Sequence, residues 1–103
     1  MNIPRTFNLA GRTWHVKHVT EEVAKKANPA VDDCHGFADD ENAIIYLIKG
    51  STKEYTEITF LHELTHALLF ARGYRDHDET EVEGLAQLFY QYFLTRKGVI
   101  NLD

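Results

Sequence analysis

Residues 58–70 read ITFLHELTHALLF, an apolar run carrying His62, Glu63 and His66 in its middle. Nothing else in the chain restricts its fold as much. Tyr55, Ile58, Leu61, Thr65, Leu68 and Leu69 recur at helical spacing. Ser51 and Glu54 mark the start as a capping-box pair, and Arg72-Gly73 marks the stop. So apolar a helix is expected to be buried, and buried polar groups need partners. The chain must fold so that something answers two imidazoles and a carboxylate together.

The other elements follow from shorter patterns. RTFNLAGRTWHVKHV reads as a hairpin turning at Ala10-Gly11, with Trp14, Val16 and His18 alternating against Thr13, His15 and Lys17. TEEVAKKAN reads as a short helix with Thr20 as N-cap and Pro29 closing the segment. A second hairpin is expected, with arms at about Cys34–Ala38 and Ala43–Ile48 and a turn over Asp39-Asp40-Glu41-Asn42. A last helix runs from about Glu79 to Lys97, its apolar stripe made by Val82, Leu85, Ala86, Phe89, Tyr92 and Phe93. The whole reads as one α+β domain over 1–103, a small antiparallel sheet of two hairpins packed on the two long helices.

His62-Glu63-Leu64-Thr65-His66 is an HExxH motif placed on a helix. Side chains at i and i+4 lie about 40° apart around the axis, so both imidazoles reach one metal ion. Zn²⁺ takes imidazole nitrogen, and a catalytic site leaves one position for water. Glu63 projects from the same turn and can take that water's proton as general base during attack on a carbonyl. A third protein ligand is still required. The extended form HExxHxxGxxH is absent, since Leu69 and Arg72 stand at its Gly and His positions. His77 is a candidate on a loop, although an exposed loop histidine is the simpler account. On the last helix, with Val82 at zero, Glu79 falls at about 60°, Glu83 at about 100° and Glu81 at about 260°. That geometry removes Glu81 and leaves Glu79 and Glu83 open. Both also have structural readings, as first-turn acids favoured by the helix dipole and, for Glu83, as the partner of Thr80 in a capping box.

FLHELTHALL followed by EGLAQLFYQYF resembles the ImmA/IrrE-type zincin-like metallopeptidases, in particular their short phage and prophage versions. In that family a helix downstream of HExxH carries a pattern like E-x-x-A-N-x-F, and its first Glu is the third zinc ligand. Glu83-Gly84-Leu85-Ala86-Gln87-Leu88-Phe89 is similar to it, with Gln87 at the usual Asn position. The resemblance thus implies a minimal zincin-like fold binding Zn²⁺ through His62, His66 and Glu83, with Glu63 catalytic. It also implies hydrolysis of a peptide bond in a protein substrate. GFADDENAIIYL and LAGRTWHV resemble the family's strand-turn-strand and opening hairpin more weakly. The short length leaves few elements for a substrate cleft, so a zinc-bearing binding or regulatory module without significant catalysis stands as the alternative.

Among other residues, His35 could face metal or substrate from its strand, but an exposed strand histidine is preferred. Tyr90 could donate to an oxyanion, but the edge of the core is preferred. Cys34 is the one cysteine, so no internal disulfide forms, and it is read as a small strand residue. A net charge of −5 without a basic cluster excludes a charge-driven nucleic-acid binder. No apolar run spans a bilayer and the N-terminus lacks a signal-peptide pattern, so no membrane partner and a cytoplasmic location are expected, in a bacterial host if phage-encoded.

Overall fold

The computed structural model describes residues 1–29 and 35–97. Cys34, which was expected to open the second hairpin, lies outside the described residues. The elements in order are β1 (Thr6–Leu9), β2 (Arg12–Val19), α1 (Glu21–Ala27), β3 (Gly36–Asp39), β4 (Ile44–Ile48), α2 (Lys53–Ala71) and α3 (Glu79–Lys97).

Both hairpins form. Ala10 and Gly11 adopt φ of 50° and 79°, the paired left-handed conformation of a two-residue turn whose twist matches the strands it joins. The sheet they build is not antiparallel throughout, however. Its order is β1-β2-β4-β3, and the central pair β2–β4 is parallel, with Val16 opposite Ile45 and His18 opposite Leu47. Alternation within a strand fixes which side chains face the core, but not how two hairpins abut. A parallel junction needs a crossover, which the segment containing α1 supplies.

Capping follows local chemistry with two corrections. Thr20 caps α1 as expected, accepting from the Val23 N–H. At α2 the cap is Thr52 rather than Ser51: Thr52 is extended and its Oγ1 accepts from the Tyr55 N–H at 3.1 Å. Ser51 Oγ lies 3.2 Å from His35 Nδ1 instead. At α3 the cap is Asp78, whose Oδ1 accepts from the N–H groups of Thr80 and Glu81, so no Thr80–Glu83 box forms and Glu83 is left available for other partners.

α2 lies at the centre, against β3 and β4 on one side and α3 on the other. Phe60, Leu61 and Ala67 are buried with Trp14, Ile45, Leu47, Ala86 and Tyr90 in one core. Buried Thr59 and Thr65 donate their hydroxyls to carbonyls one turn back, Tyr55 and Leu61. Buried Glu57 accepts from the Tyr90 hydroxyl and the Met1 ammonium. Tyr90 is therefore a core residue whose polar end is already engaged. The apolar stripe of α3 is narrower than its sequence suggests. Val82, Ala86 and Tyr90 face α2, while Leu85, Phe89 and Tyr92 are exposed. No helix among the described residues is long and apolar enough to cross a membrane.

Candidate metal centre

HExxH spans the third and fourth turns of α2, where the helix passes under β3 and beside the first turn of α3. β3 can approach closely because it opens with a glycine. A Cβ on Gly36 would stand 2.6 Å from the Tyr46 carbonyl oxygen and 2.9 Å from the Thr59 Cγ2. One turn beyond Thr59, Glu63 lies beneath the same strand, where the Ala38 N–H favours its charged form. Its side chain is nearly fully buried, at 7% exposure. Burial is the main reason that its carboxyl is pushed up to about 7, and the charges of Glu79 and Glu83 act in the same direction. The His62 charge and the Ala38 N–H hold it down.

The two histidines, both half-buried, sit one turn apart on the side of α2 that meets the start of α3, ring centroids 5.1 Å apart. Glu79, at the start of α3, meets both: His62 Nε2 lies 3.2 Å from Glu79 Oε2, and His66 Nε2 lies 3.1 Å from Glu79 Oε1. His62, His66 and Glu79 each offer a ligand atom within 4.8 Å of the others, an arrangement able to hold a metal ion. Tetrahedral Zn²⁺ with bonds near 2.0–2.2 Å sets its ligand atoms roughly 3.3–3.6 Å apart, close to the two nitrogen–oxygen separations of 3.2 and 3.1 Å. Glu83, to which the family resemblance gives the third-ligand role, stands one turn along α3. Its Oε2 is 3.1 Å from His62 Nδ1, on the far edge of the ring from Glu79. Gln87 donates to Glu83 Oε1 and steadies it there. Burial holds the His66 imidazole below its ordinary pKa, with the Glu79 charge opposing and the His62 and His77 charges assisting.

His77 has a larger part than its loop position implies. Its Nδ1 is 2.7 Å from His66 Nδ1, and its Nε2 is 2.9 Å from the Tyr74 carbonyl. Its position eleven residues after His66 was the only sequence signal for it. Glu81 makes only a backbone bond to Asp78 and takes no part, as expected. His35 is exposed, 4.4 Å from the Tyr55 ring, and touches neither histidine of the motif.

Two hollows of about 450 and 470 Å³ meet over Gly36, His62 and Glu63. One extends past His35 and Tyr55, the other past Phe70, His77 and Arg75. They form a cleft along β3 that crosses the motif. A larger hollow of about 670 Å³, between β1 and the two long helices, has no titratable side chain in its lining and holds none of this chemistry. Set against protein-family models, curated proteins and solved structures, the chain matches none of them.

Proposed function

We propose that the chain is a zincin-like, zinc-dependent peptidase that cleaves a peptide bond in a protein substrate, with Glu63 as general base. The observation that carries this reading is the convergence of His62 Nε2 and His66 Nε2 on one Glu79 carboxylate, with Glu63 buried beside them. An ion pair to a single protonated imidazole would need only one of these approaches. Two imidazole nitrogens gathered on one carboxylate match the donor set of a catalytic zinc site.

In this reading His62, His66 and Glu79 hold the metal, and Glu83 accepts from the Nδ1–H of His62, fixing that ring with its Nε2 lone pair inward. Zn²⁺ there supplies Lewis acidity, polarising a carbonyl oxygen and bringing the pKa of a water near neutrality. Glu63 takes the proton of the attacking water on a carboxylate oxygen and delivers it to the leaving amine nitrogen. That carboxylate lines the cleft together with Ala38 of β3, whose N–H favours its charged form. β3 is an edge strand, and the hydrogen bond from the Ile48 N–H to the His35 carbonyl sets the alternation that turns Gly36 and Ala38 outward. An extended peptide can pair with that edge and lie across the motif.

Glu63→Gln is expected to retain about one zinc per chain by elemental mass spectrometry and to lower cleavage of a peptide library roughly 10²–10⁴-fold. Undiminished cleavage by that variant, or cleavage that persists after chelation, would defeat the mechanism. A zinc-loaded wild type that cuts nothing in the library would instead favour a non-catalytic zinc-bearing module.

A further inference from the structure

We propose that His77 is a positioning residue for His66: it fixes the His66 tautomer so that the Nε2 lone pair is turned to the metal. This rests on the metal reading above and extends it to a residue outside the motif. A backbone carbonyl only accepts, so the 2.9 Å contact between His77 Nε2 and the Tyr74 oxygen places the His77 proton on Nε2. Neutral His77 then presents a bare Nδ1. The 2.7 Å contact between the two Nδ1 atoms needs one proton, which must come from His66. With its proton on Nδ1, neutral His66 has an unprotonated Nε2, the atom that lies 3.1 Å from Glu79.

The relay is anchored at each step. The Tyr74 N–H donates to the Leu69 carbonyl, so the Tyr74 carbonyl is set by the end of α2 itself. Gly73, at φ 94°, turns the chain back to make that bond. The His77 ring lies nearly in the plane of His66, interplanar angle 21° and centroids 4.9 Å apart, as an in-plane bond between the two Nδ1 atoms requires, and it is tilted on Phe70 at 4.5 Å. Arg75, beside Phe70, ties the same loop to Asp40. Helix end, loop and imidazole thus determine which nitrogen of the second motif histidine is free.

Two measurements test this. In ¹⁵N-labelled, zinc-loaded wild type, a ¹⁵N–¹⁵N coupling across the hydrogen bond between His66 Nδ1 and His77 Nδ1 is expected. A Nδ1 of His66 that carries no proton would overturn the proposal. Zinc affinity, measured by competition with a chromophoric chelator, is expected to fall about 10–100-fold in His77→Ala and equally in His77→Phe. His77→Asn, whose Oδ1 falls near the original Nδ1 and can accept from His66, is expected to recover most of the loss. Full affinity in His77→Phe would make the residue a packing element and overturn the proposal, whereas a wild type that binds no zinc would overturn the metal reading beneath it.

Discussion

Two glutamates one helical turn apart take different places around a single imidazole. Glu79 meets the Nε2 edge of His62 and Glu83 the Nδ1 edge, so in the proposed reading a carboxylate that binds and a carboxylate that orients are separated by the width of a ring. Glu83→Ala is therefore expected to weaken zinc binding about 10–100-fold, and Glu79→Ala to weaken it further by removing a ligand. Competition titration of both variants checks the order. The reverse order would return the third-ligand place to Glu83. Sequence spacing placed both residues beside the buried stripe of α3 but could not divide them, because the division depends on how α3 crosses α2. His77 was less legible still. A loop has no periodicity to direct a side chain, and the bond from Tyr74 to Leu69 that turns it back exists only once α2 has ended.

At the scale of elements, the two long helices and both hairpins were legible because each is specified by contacts close in sequence. The parallel junction of β2 and β4 was not, since it is set by which hairpin faces cover α2. The cap positions moved for local reasons: Thr52 and Asp78 each have a side-chain oxygen within reach of the first free N–H groups. The element on which the site most depends is one of the two shortest. β3 lines the cleft beside Glu63, and it lies close over α2 because residue 36 has no side chain. Gly36→Ala would press a methyl group against the Tyr46 carbonyl and Thr59, and backbone cannot yield as a flexible side chain does. A loss of about 1–3 kcal/mol is expected, typical of overpacking. Chemical denaturation reads it, and an unchanged midpoint would show that the approach is not tight.

Across the whole molecule, Asp40 ties three parts together. It accepts from Arg12, at the start of β2, and from Arg75 in the loop between α2 and α3, while lying in the turn between β3 and β4. The hydrogen bond from Arg75 is the main cause that lowers the Asp40 carboxyl, with Arg12 adding to it against an opposing effect of burial. A carboxyl lowered in the folded state gives stability that is fully present above its unfolded pKa and is lost as pH falls through its folded pKa. Asp40→Asn is thus expected to reduce Tm at neutral pH by roughly 2–6 °C, as a partly exposed ion pair would. The gap should narrow as the pH drops below the ordinary carboxylate range. A gap that stays constant down to strong acid would show that the charge of Asp40 contributes nothing.

The open edge of β3 also bears on self-association. A strand able to receive an extended peptide is equally able to receive a second copy of itself, the contact through which sheets grow into fibrils. Two features oppose this. The strand has only four residues, Gly36–Asp39, and it ends in a charge next to Asp40. Two such edges meeting would bring like charges together. The acidic end of the strand thereby also guards the edge against aggregation.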